Sequence, residues 1–164
     1  MQGTRPIISE IQALVTKTSY PAAKRTADGF DYNRMGLLIA VLEKRMGLRF
    51  YENDVYLNVA GGIRLDEPSA DLSIAMALIS GITDRVVPDD LIAFGEIGLS
   101  GEVRAVSHID YRVKEAVRLG FMKIVLPKTC PTAHLNVPRG VELIGISNIY
   151  QALAAMHLKK ADEA

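Results

Sequence analysis

The chain has 164 residues, 49% of them hydrophobic and 23% charged, with 19 basic and 19 acidic side chains and no net charge. That length supports one domain with its own core, and the overall balance argues against a strongly basic nucleic-acid binder. A single cysteine, Cys130, excludes an internal disulfide and a cysteine-based zinc cluster. Neither a run of eighteen apolar residues nor a signal-peptide order of basic, apolar and small residues is present, so the expectation is a reducing, cytoplasmic setting with no membrane partner.

The charge is unevenly spread. Residues 1–50 hold eight Lys or Arg against four Asp or Glu, and the rest of the chain is correspondingly acidic. In chain order, residues 6–16 are β-branched, apolar and partly alternating, which predicts a strand. Residues 17–32 are rich in small and turn-forming types and predict a long loop. Asn33 is placed to cap a helix over 34–46, with Met35, Leu38, Ile39, Leu42 and Met46 on its apolar stripe and Gly47 as its stop. Gly61-Gly62 between 55–60 and 63–65 predicts a hairpin.

Residues 70–82 predict a helix that is apolar nearly all round and therefore buried. A strand over 91–97 follows, with 102–106 as its partner across the turn GLSG. A helix over 109–119 ends at Gly120, a strand over 123–126 is cut by Pro127, a short strand covers 141–145, and a closing helix runs from about 148 to 158. Strands and helices alternate while hairpins interrupt the rhythm, which predicts a mixed-sheet α+β domain over 1–158. The tail 159–164, KKADEA, is expected to fray.

Ser69 stands at the mouth of the apolar helix. There a serine serves either as an N-cap or as a nucleophile whose alkoxide the helix dipole favours, and capping is the commoner role. A nucleophile would need a base. His108 lies in SHID beside Asp110, but side chains two apart near a helix start diverge. His134 and His157 are far along the chain, and the three histidines lack metal-ligand spacing, so no metal site is expected. The glycines of GEIGLSGEV do not form G-x-G-x-x-G, and no phosphate-binding G-x-x-x-x-G-K-[ST] occurs, so no nucleotide cofactor is expected in this domain.

Pro68-Ser69-Ala70, the apolar helix, FGEIGLSGEV at 94–103 and KIVLP at 123–127 together resemble the proteolytic domain of the Lon family. The resemblance implies the ribosomal protein S5 domain 2-like mixed-sheet fold. In that family the serine of D-G-P-S-A-G is the nucleophile and a lysine in G-G-L-K-E-K is its base. Those positions fall here on Ser69 and on Arg112, in DYRVKEA. A guanidinium stays protonated near neutrality and cannot serve as a base there. Glu67 and Asp71 replace the family's two glycines, and the Asp71 carboxylate is expected to oppose an alkoxide at Ser69. Ser69, Arg112 and Asp71 therefore read as degenerate positions, with Ser69 reduced to a cap and no catalytic residue expected.

GTRPIISEIQALV at 3–15, Asn33-Arg34, VAGGI, SAD, FGEIGLSGEVR and Gly120-Phe121 resemble more closely still the Lon-like C-terminal domain of bacterial DNA-repair and recombination ATPases. That resemblance implies a homo-hexamer acting on single-stranded or branched DNA beside a RecA-type recombinase. It also implies a zinc-binding CxxC segment and an ATPase core, with ATP and magnesium, ahead of this domain in the longer proteins. Phosphate contact is expected first from Lys24, Arg25 and Arg34, and second from Arg104, Lys114 and Arg118. An active Ser-Lys peptidase and a purely structural oligomerisation module are the alternatives.

Overall fold

A computed structural model describes residues 6–158, so the expected frayed tail and Met1 to Arg5 lie outside it. Two three-stranded sheets organise the chain. The first has the order β1-β3-β2, from β1 (Ile11–Lys17), β2 (Arg25–Asp28) and β3 (Asn53–Val59). β1 runs antiparallel to β3 with Leu14 opposite Tyr56, and β2 runs parallel to β3 with Thr26 opposite Tyr56. The crossover that a parallel pair requires is helix α1 (Tyr32–Met46).

β2 occupies the segment expected to be loop. Its alternation is short and hidden among turn-forming residues, and what holds it is tertiary. The Lys24 amide donates to Asp54 Oδ1 at 2.7 Å, and the Val55 amide donates to the Lys24 carbonyl at 2.9 Å. Helix α1 is capped by Asp31, which accepts from the Arg34 amide, and not by Asn33; Gly47 ends it with φ 67°, as the sequence indicates. The expected Gly61-Gly62 hairpin does not form. Both glycines take positive φ in a 3-10 turn, and the chain leaves to bridge Leu65 in parallel with Phe30.

Helix α2 (Asp71–Ile82) is buried on nearly every side, as its composition predicts, with Leu72, Ile74, Met76, Leu78 and Ile79 at 1% exposure or less. It fits against β1 because a side chain at Gly81 would meet Val15 Cγ2 at 2.7 Å. After it come the short strands β4 (Arg85–Val86), β5 (Leu91–Ala93), β6 (Glu96–Ile97) and β7 (Val103–Arg104). The expected strand over 91–97 is thus broken at Phe94-Gly95, while the expected pairing across GLSG is present as the antiparallel ladder β6-β7.

Helix α3 (Ile109–Arg118) crosses over to β8 (Lys123–Pro127), and β9 (Glu142–Ile146) completes a second, all-parallel sheet of order β5-β8-β9. Alternation along β8 sends Val125 into the main core with α1 and α2, and Ile124 and Leu126 into a second core with α3. The closing helix is a 3-10 segment, Ile149–Ala155, capped by Asn148, and β10 (His157–Leu158) pairs with β4. The architecture is the mixed-sheet α+β arrangement expected.

Candidate functional site

Ser69 sits in a 3-10 turn, Pro68–Ala70, just ahead of α2, and it caps nothing. The N-cap position of α2 falls on Ala70, with no side-chain hydrogen bond. The Ser69 hydroxyl donates instead to Glu67 Oε2 at 3.2 Å. The backbone holds it there: the Gly95 amide donates to the Ser69 carbonyl at 2.9 Å, and the Leu72 amide donates to the Gly95 carbonyl at 3.0 Å. The break between β5 and β6 is therefore the price of locking the FGE segment onto the serine turn. A side chain at Gly95 would meet Val103 Cγ1 at 2.8 Å, so this approach needs glycine.

Arg112 reaches the same point from α3. Its Nη2 donates to Glu67 Oε2 at 2.8 Å and its Nε to the Ser107 carbonyl at 2.8 Å. One carboxylate oxygen thus accepts from both the hydroxyl and the guanidinium. Burial pushes the Arg112 guanidinium below its ordinary value, and the ion pair with Glu67 favours its charged form. Ser69 and Arg112 line one 260 Å³ cavity with Glu67, Ser9, Ile92 and Phe94; no lysine is among its described lining residues. Ser69 and Arg112 meet at the carboxylate of Glu67, a residue that the sequence marks only as the replacement of a family glycine.

Asp71 does not act as expected. Its carboxylate, 1% exposed, is turned to α1, where Arg34 Nε donates to Oδ1 at 3.0 Å and Arg34 Nη2 pairs with Oδ2. The Ile97 amide donates to Oδ2 at 3.1 Å, and Arg34 Nη2 also donates to the Ile97 carbonyl at 3.0 Å. The guanidinium compensates the charge that was to oppose an alkoxide, and the same pairing raises the pKa of Arg34.

The other expected phosphate contacts are scattered. Arg25 donates to the carbonyls of Phe50 at 2.8 Å and Asn53 at 2.6 Å, fixing the start of β3. Arg104 pairs with Glu102 at 2.7 Å and Arg118 with Glu115 at 2.7 Å, while Lys114 is exposed on α3. Lys24 is exposed, its ammonium 3.6 Å from the centre of the Tyr20 ring. Asp110 meets His134, not His108, with His134 Nε2 2.9 Å from Asp110 Oδ1. Among the described residues no cluster of His, Cys, Asp and Glu is arranged to hold a metal.

The Lon protease (S16) C-terminal proteolytic domain family matches residues 40–156. Among curated proteins, the chain is similar to the DNA repair protein RadA of Streptococcus pneumoniae, 46% identical over 153 residues that make up 93% of this chain and 36% of that protein. It is 49% identical over 156 residues to the DNA repair protein RadA of Bacillus subtilis, covering 93% and 33%. With that of Listeria monocytogenes it shares 45% over 153 residues, again 93% and 33%. The chain spans about a third of the length of these relatives.

Proposed function

The chain belongs to the Lon protease (S16) C-terminal proteolytic domain family, and from that premise we propose that it is a non-proteolytic member serving a DNA-repair ATPase of the RadA type. In this reading it contributes a hexamer scaffold and a sequence-independent DNA-binding platform for recombination and branch migration. The ATP, magnesium and zinc chemistry belongs to other parts of the longer protein, and the partners are further copies of itself, single-stranded or branched DNA and a RecA-type recombinase.

The observation that carries the loss of peptidase chemistry is the shared Glu67 oxygen. A serine nucleophile needs an unprotonated base that is free to take its proton. Ser69 has a carboxylate already committed to a partly buried guanidinium that stays protonated near neutrality. The hydroxyl is an ordinary donor in an ion-pair network. The DNA-repair role rests on the similarity to RadA proteins over most of this chain. DNA contact is assigned first to Lys24 and Lys114, whose ammonium groups are exposed. Arg25, Arg34, Arg104 and Arg118 take a smaller share, because each guanidinium already serves a carbonyl or carboxylate.

Two measurements test this. A serine-directed fluorophosphonate should leave the chain unlabelled; stoichiometric labelling that Ser69→Ala abolishes would establish an active peptidase instead. A DNA titration across a salt series should show a slope of log K against log salt that shrinks by about one for Lys24→Ala, equally for unrelated sequences. A slope unchanged in Lys24→Ala and in Lys114→Ala would leave a purely structural oligomerisation module.

A further inference from the structure

The first sheet uses only one of its faces. Alternation along its strands puts Ile11, Ala13, Val15, Val55, Leu57 and Val59 in or against the main core, under α1 and α2. The opposite face carries Gln12, Leu14, Thr16, Thr26, Asp28, Asp54, Tyr56 and Asn58; Asp54 is covered by the segment that holds Lys24, while Leu14 is 62% exposed and Tyr56 37%, side by side in register. Just ahead of β2, Lys24 lies beside this face, tied to it by its amide on Asp54. Its ammonium stands over the Tyr20 ring, which is itself half-exposed. Tyr20 and Tyr56 both raise the pKa of Lys24, Tyr20 more strongly, and Tyr56 follows Asp54 by two residues on the same face of β3.

We propose that this open face is a stacking surface for single-stranded nucleic acid, with bases on the Tyr20 and Tyr56 rings and a phosphate at Lys24. The proposal rests on the reading of the chain as a DNA platform and adds the site and the strand type. Aromatic rings around a cation on a sheet face suit a single strand, because bases stack on any ring and the phosphate between them meets the charge. A duplex keeps its bases inside and offers only phosphates. The charge distribution orients the strand. Asp54 is buried and accepts from the Lys24 amide, whereas exposed Asp28 lies opposite Asn58, beyond the Tyr56 row, and repels phosphate from that end. Polar Gln12, Thr16, Asn58 and Thr26 separate the apolar groups, so the face lacks the continuous apolar core of a protein interface.

The chain has six tyrosines and no tryptophan, so its intrinsic fluorescence is that of tyrosine and reports ring stacking directly. Oligothymidylate should quench that fluorescence at low salt, and an abasic phosphodiester of equal length should bind at least about fivefold more weakly. Tyr20→Leu and Tyr56→Leu should each weaken oligothymidylate binding by about fivefold or more, while Tyr56→Phe keeps it. Equal binding of the abasic strand and oligothymidylate overturns the stacking surface and leaves the electrostatic platform standing. Absence of binding to any strand overturns both. Should Tyr56→Leu abolish self-association and leave DNA affinity unchanged, the face is an interface between copies of this chain and the proposal is overturned.

Discussion

At the scale of single residues, the chemistry turns on one carboxylate oxygen. Glu67 Oε2 takes hydrogen bonds from Ser69 and Arg112, so restoring the family's base requires more than one substitution. Arg112→Lys alone would set an ammonium beside Glu67, and an adjacent carboxylate favours the charged amine over the neutral base. That variant should remain unlabelled by fluorophosphonates, whereas Arg112→Lys combined with Glu67→Gly should gain labelling at Ser69. Labelling of the single variant, or silence of the double variant with its fold intact by circular dichroism, would show that the site is set by something else. Ser69→Ala removes one hydrogen bond and no cap, and should cost about 1 kcal/mol in urea unfolding. The pairing of Ser69 with Arg112 was legible through the resemblance to the Lon family, whose serine and base positions fall on these two residues. The fate of the hydroxyl was not, because it depends on which way Glu67 turns.

At the scale of elements, the Arg34–Asp71 pair joins α1 to α2 and catches β6 through the backbone of Ile97. Removing either partner leaves an uncompensated charge in a largely buried setting, and Arg34→Ala or Asp71→Ala should each destabilise by about 3 kcal/mol. The double variant should cost clearly less than the two single costs combined, read as a double-mutant cycle by chemical denaturation. Additive costs would mean the two side chains act independently. The same pair shows why charge patterning misled: Arg34 reads as a free cation in sequence, and only its partner 37 residues away shows it to be structural. β2 was hidden for a related reason, since its pairing depends on Asp54 of β3. The Lys24 amide, first, and Thr18, after the opposing effect of burial, hold the Asp54 carboxyl below its ordinary value. A depressed folded pKa means stability that is present above the unfolded value of about 3.9 and lost as pH falls through the lower folded value. Asp54→Asn should therefore lose part of the stability near neutrality and flatten the acid limb of a pH–stability curve. An unchanged acid limb would assign acid sensitivity elsewhere.

At the scale of the molecule, two cores share β8, and the first sheet is left with one bare face. The helices were legible because their apolar stripes and stop glycines are local signals. The order of the sheets was not, since parallel pairing joins segments far apart and only one of the two glycine turns closes a ladder. The proposed ring rests on the resemblance to Lon-type domains and has a physical consequence. A ring closes through contacts in which each subunit offers two different surfaces, and each contact alone can be weak. One Lys24 per subunit gives weak attraction, but six engaging one strand act at a high effective concentration. Assembly and DNA affinity should therefore rise together. Sedimentation velocity of the longer RadA-type protein should show a six-subunit species at micromolar concentration, and its DNA affinity should exceed that of this chain by more than tenfold. Lys24→Ala should lower that affinity and leave sedimentation unchanged, because the Lys24 side chain meets Tyr20 of its own subunit. Arg34→Ala should reduce assembly and affinity together through lost stability. A longer protein that sediments only as monomer yet binds DNA as tightly would remove the ring from the account of how this domain works.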